Sequence, residues 1–165
     1  MKNRNHILTT TVAGIACFTL LPIARAVIPA PAGGYPNLTT AEGTNALQNL
    51  TTGSANTVVG WFSLFSNTDG SFNTGVGAGT LLFNVGDQST GEGVSNMAIG
   101  TAALLLNTTG TEDTAVGTAT LVNSSIGDSN SAFGAFALNK NDGGDRNTAI
   151  GDRALFNGYW CGRAW

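Results

Sequence analysis

The chain has 165 residues, 23 of them glycine and 10% of them charged, with a net charge of −3. That glycine density excludes long helices, because each glycine inside a helix costs about 1 kcal/mol relative to alanine. The sparse, net acidic charge excludes the basic surface that nucleic acid or an anionic membrane requires.

The first element is a leader. Lys2 and Arg4 precede an apolar stretch from Ile7 to Ile23, broken by Pro22 and closed by Ala24-Arg25-Ala26, an A-x-A-like cleavage pattern. This is the order of parts in a secretory signal peptide, residues 1–26. It competes with a transmembrane anchor, which needs about 20 apolar residues, and with a lipoprotein leader on Cys17, for which Gly14 is a poor start. Cleavage after Ala26 leaves four basic residues, Lys140, Arg146, Arg153 and Arg163, against ten acids, a net charge of −6. It also removes His6, the only histidine, and leaves Cys161 as the only cysteine, so no disulfide forms within one mature chain.

Residues 27–38 (VIPAPAGGYPNL) are rich in Pro, Gly and Ala and read as an arm or linker. Residues 39–157 are an internal repeat. Gly43, Gly60, Gly77, Gly100, Gly117, Gly134 and Gly151 recur at spacings of 17, 17, 23, 17, 17 and 17 residues. Four residues after each comes a leucine: Leu47, Leu64, Leu81, Leu104, Leu121, Leu138 and Leu155. Four residues before each comes a polar column, Thr39, Asn56, Asn73, Asn96, Asp113, Asn130 and Asn147. Next comes a Thr or Ser column interrupted by Met97, and just before the glycine an apolar column interrupted by Glu42. Residues 158–165 (GYWCGRAW) abandon the pattern.

A repeat this short is one supersecondary unit stacked on itself. N-T-A-[VI] reads as a strand, the glycine permits a bend or a close backbone approach, and the segment around A-L-[FLV] reads as a second short strand. Turn chemistry follows, as in Asn67-Thr68-Asp69-Gly70 and Asn141-Asp142-Gly143-Gly144. The expectation is an all-β chain, a parallel β-roll or β-solenoid of about seven coils. At ~4.8 Å per rung it makes a rod of ~34 Å. Asn stacks on Asn, with amides bonding along the ladder, and Leu on Leu. The six extra residues before Gly100 form one loop within Asn84–Ser95, offering Asp87, Gln88 and Glu92 as candidate binding residues. Three apolar columns compete for a thin interior: Val/Ile, Leu, and the position after Leu. Neighbours on a strand face opposite ways, so one stripe is exposed and forms an association surface.

The segments Asn147-Thr148-Ala149-Ile150-Gly151, Asn96-Met97-Ala98-Ile99-Gly100 and Asn73-Thr74-Gly75-Val76-Gly77 resemble the N-S-V-A-I-G repeats of the YadA-like head domain of trimeric autotransporter adhesins. The resemblance covers about Thr39 to Asn157. It implies a left-handed β-roll that packs as a homotrimer, on the surface of a Gram-negative-type bacterium or secreted from it, and that binds extracellular matrix or host surfaces. The period departs from that family's, near 14, and its strand has one more residue between Asn and Gly. Neither a heptad stalk nor a membrane barrel follows Asn157, which leaves any membrane link to an anchor missing from this sequence.

Catalytic chemistry has few carriers. No histidine of the mature chain can serve as a base for the many serines, Lys140 is the only mature lysine, and Glu112-Asp113 are strand neighbours that face apart. Zinc needs more than Cys161. A calcium repeat needs tandem copies of a motif that Asp142-Gly143-Gly144-Asp145 approximates once. No cofactor, metal or catalytic residue is expected. The leading function is a non-enzymatic adhesin-like head module. The alternative is a structural or ice-active solenoid with no protein receptor, read from the single Thr column.

Overall fold

The structure, a computed structural model, describes residues 36–157. The signal peptide expected at 1–26, most of the arm at 27–38 and the tail at 158–165 lie outside the described residues. Pro36–Leu38 form a short 3-10 turn. Seven strands of three residues follow: β1 Thr40–Glu42, β2 Thr57–Val59, β3 Thr74–Val76, β4 Met97–Ile99, β5 Thr114–Val116, β6 Ser131–Phe133 and β7 Thr148–Ile150. They form one parallel sheet in sequence order. The register is the repeat itself: Thr57 pairs with Thr74, and Thr74 with Met97 across the longer coil. The chain is thus an all-β parallel solenoid with one rung per 17 residues, and no α-helix occurs among the described residues.

The expected second strand is absent. The segment after the glycine is a run of turns in which two residues per coil take positive φ. In the fourth coil these are Ala102 (φ 57°) and Leu104 (φ 51°). The physical reason is hydrogen bonding in both directions along the rod. The Ala102 N–H donates back to Ala78 (2.9 Å), and the Leu104 N–H donates forward to Thr120 (3.0 Å). Left-handed backbone is costly for non-glycine residues, and here the neighbouring coils hold it in place.

Six of the seven leucines, Leu47, Leu64, Leu81, Leu104, Leu121 and Leu138, are buried in one contiguous core. Leu155, at the last described rung, is 44% exposed. The core's other wall is the middle strand residue: Ala41, Val58, Ala98, Ala115, Ala132 and Ala149 are all buried. At Gly75, in the same column, a Cβ would lie 2.6 Å from the Leu64 Cδ1 atom, so the coil interior is one Leu and one Ala thick. The Val/Ile column therefore points outward.

The glycine column closes the bend. Gly100 has φ 121°, and a Cβ there would lie 2.6 Å from the Gly117 carbonyl oxygen of the next rung. Behind the bend runs the Asn ladder. The Asn73 N–H donates to the Asn56 Oδ1 atom and the Asn96 N–H to the Asn73 Oδ1 atom, both at 2.9 Å. The Asn147 N–H donates to the Asn130 Oδ1 atom at 3.0 Å. A second buried Asn column, Asn67, Asn84, Asn107 and Asn141, runs parallel to it. Its asparagines lie in the turn segments, where asparagine is common in any loop and so carries no sign of a buried ladder.

Candidate functional surface

Two apolar faces flank the thin core. On the strand wall, the outward residues of each T-A-V unit form paired columns. Val59 is 41% and Ile99 37% exposed, Phe133 and Ile150 continue the stripe, and Thr57 and Thr148 stand exposed beside them. On the opposite wall, the residue after the leucine is apolar and half-buried in five of the seven coils, Phe65, Leu82, Leu105, Val122 and Phe156, and polar in the other two, Gln48 and Asn139. This wall carries aromatic clusters at its two ends. Trp61, 60% exposed, meets Phe62 edge-on at 4.5 Å, and Phe62 meets Phe65 at 4.9 Å. At the far end Phe136 and Phe156 lie 6.4 Å apart, with Arg153 over the first ring and Lys140 over the second. Cation–π contacts at exposed sites contribute about 0.5–1 kcal/mol. The aromatic clusters escape the repeat consensus because they sit where the rungs differ.

The extra residues of the longer coil are confined to Gly86–Glu92. Val85 and Gly93 both keep regular rung positions, the Thr68 N–H donating to Val85 (3.0 Å) and the Asn73 Nδ2–H to Gly93 (2.9 Å). The insertion is a tight hairpin closed by an antiparallel bridge between Asp87 and Glu92. The Ser89 hydroxyl and N–H donate to the Asp87 carboxylate, and those bonds, the hydroxyl's first, hold its pKa below the usual value. Glu92 is exposed. Gln88 folds back on the rod: its amide donates to the Ser71 hydroxyl (2.7 Å) and the Thr52 carbonyl (3.3 Å), tying the loop to two rungs. Of the three candidate residues, Gln88 is thus also a brace, while Asp87 shapes the hairpin.

Elsewhere on this edge the turn hydroxyls bond to the neighbouring rung. Thr51 and Thr52 donate to Asp69, and these bonds, Thr51's first, lower its pKa. Among the described residues no group of three or more His, Cys, Asp or Glu side chains is placed to hold a metal ion. The chain matches no protein-family model, no curated protein and no solved structure.

Proposed function

We propose that the chain is a non-catalytic, surface-presented head module that associates as a homotrimer and contacts matrix, host or other surfaces through its outer turns and the Gly86–Glu92 hairpin. The observation that carries the reading is the pair of apolar faces on opposite walls of one solenoid. A threefold ring needs two different surfaces per chain, one for each neighbour. A chain with one apolar face would satisfy itself as a twofold dimer. The exposed edge is polar and net acidic, carrying Glu92, Glu112, Asp128, Asp142 and Asp145, so it reads its partner by hydrogen bonding and by charge. The likeness of the repeats to adhesin heads points the same way.

Sedimentation equilibrium of the chain beginning at Val27, beside the Ile99→Asp variant, tests the trimer. The expected result is three chains per particle for the parent and one for the variant. A folded parent monomer at micromolar concentration overturns it. Binding of immobilised matrix proteins by the parent, lost when the hairpin is replaced, tests the contact region.

One observation favours the alternative of an ice-active solenoid. The T-x-[VI] units place threonine hydroxyls and valine or isoleucine methyls in two in-register columns on one outward face, the threonine column interrupted at Met97. The two readings compete for that face, since a trimer would cover it. Ice-recrystallisation inhibition by a monomeric protein would decide for the alternative.

A further inference from the structure

One interior rung departs from both Asn columns. In the three rungs before it, the outer-column amide Nδ2–H donates to a glycine carbonyl: Asn56 to Gly70 (2.9 Å), Asn73 to Gly93 (2.9 Å) and Asn96 to Gly110 (2.8 Å). In the two rungs after it, the Asn130 and Asn147 amides donate to the preceding rung's Oδ1 atom (3.1 and 3.2 Å). Asp113 holds the next place in the column. Its N–H donates to Asn96 Oδ1 (2.9 Å), and its Oδ1 atom accepts the Asn130 N–H (2.7 Å), as an asparagine's would. Its Oδ2 atom stands where the amide nitrogen stands elsewhere. A Cβ built on Gly110 lies 3.1 Å from Asp113 Oδ2, and one built on Gly70 lies 3.1 Å from Asn73 Nδ2. That same Gly110 position is 2.5 Å from the Gly127 carbonyl oxygen, the acceptor an asparagine would use.

The inner column breaks at the same rung. Asn84 and Asn107 each donate twice. Asn107 bonds to Asn84 Oδ1 (2.9 Å) and to the Gly110 carbonyl (3.0 Å). Ser124 follows them and has no amide. Asn107 Oδ1, Ser124 Oγ and Asp113 Oδ2 are consequently the three buried side-chain polar atoms without a partner among the described residues, and all three residues are fully buried. Buried polar groups are almost always satisfied, by protein or by ordered water, and leaving one unpaired costs about 1–3 kcal/mol.

We propose that this rung is completed by one proton and one water molecule. Asp113 is a neutral carboxylic acid whose Oδ2–H donates to the Gly127 carbonyl, replacing the amide of the preceding rungs. The water stands in for the amide that Ser124 lacks, donating to Asn107 Oδ1 and exchanging a hydrogen bond with Ser124 Oγ. A serine has two fewer side-chain heavy atoms than an asparagine and its Oγ atom reaches one bond less far, and a buried water needs two to four polar partners. Chemistry favours the proton over a cation, since every atom is satisfied without net charge in the interior.

The electrostatics agree. Burial raises the Asp113 pKa to about 7, the Asp128 and Asp145 carboxylates add to the rise, and the Asn130 hydrogen bonds oppose it. Glu112, next along the chain, is exposed and accepts from the Ser129 hydroxyl (3.1 Å), and the ladder neighbours Asn96 and Asn130 are neutral. The sign follows. Below the unfolded value of 3.8 both states hold the proton. Between 3.8 and about 7 only the folded state does, so folding weakens about tenfold per pH unit as pH rises. Above about 7 neither state holds it and the profile levels off.

The test compares guanidinium unfolding of the protein and of Asp113→Asn from pH 4.5 to 8.5, at one protein concentration. Asparagine fills this column in the neighbouring rungs, so the variant keeps the fold. The expected result is a parent-to-variant ratio of folding constants that falls about tenfold per pH unit between pH 4.5 and 6.5 and is flat above about 7.5. Parallel profiles overturn the proton. A high-resolution crystal structure of the parent should show one water between Asn107 and Ser124, gone in Ser124→Asn, and its absence from the parent overturns the water. Stabilisation of the parent by Na+ or K+ at pH 8 that Asp113→Asn abolishes puts a cation there and overturns the proposal.

Discussion

Individual side chains divide into those that every rung needs and those that one rung uses. Leu104 belongs to the first group. It is fully buried at φ 51°, against Ala98 and Ala115 of the strand wall. Leu104→Ala should cost about 2–5 kcal/mol in chemical denaturation, and Leu104→Asp, which buries an unpaired charge, should abolish folding of the array. Gln88 belongs to the second group. From the sequence, changing Gln88 or Glu92 in the inserted loop is expected to cost under about 0.5 kcal/mol, as on other surfaces. Its two side-chain hydrogen bonds raise the expected cost of Gln88→Ala to about 1 kcal/mol. Glu92→Ala, at an exposed position, should stay within about 0.5 kcal/mol. Equal losses for Leu104→Ala and Glu92→Ala would contradict the register.

At the scale of elements, the coil is a strand, a glycine bend, a left-handed turn run and a polar edge. The strand, the bend and the Asn ladder were legible because Asn96, Met97 and Gly100 fall at the same phase as their equivalents in every coil, and identical phases must stack. The turn run was not. A-L-[FLV] has the composition of a strand, and the positive φ of Leu104 is set by a carbonyl of the adjacent coil, that of Thr120, 16 residues away along the chain. The Ala column is illegible for a different reason: alanine is a weak hydrophobic signal, and beside the Val/Ile and Leu columns Ala98 and Ala115 do not stand out as core. The insertion lies within the expected Asn84–Ser95 range, whose edges are not legible in sequence because Asn84 and Gly93 look like loop residues and serve the rungs. Replacing Gly86–Glu92 by a single asparagine should therefore restore the 17-residue period. The expected readouts are an unchanged far-ultraviolet circular dichroism spectrum and a stability within about 1 kcal/mol of the parent. A collapse of the spectrum would show that the hairpin nucleates the fold.

For the molecule as a whole, the proposed role requires export and assembly before any contact with a surface. Mass spectrometry of the exported protein should find Val27 at its N-terminus, and intact Met1 in a membrane fraction would refute the leader. If three chains then pack through their apolar walls, the rod gains a thickness that one coil lacks, and its unfolding temperature should rise with protein concentration. The rungs themselves carry a different consequence. Each strand pairs only with the one before and the one after, and the six-residue insertion leaves Thr74 and Met97 in register. Cross-section and length are thus independent variables. Gain or loss of one 17-residue copy in the coding sequence would move the tip of the molecule by ~4.8 Å along its axis and leave the side walls as they were. Reach is a quantity the gene can count in whole units, so populations that differ only in copy number would hold the same surface at graded distances.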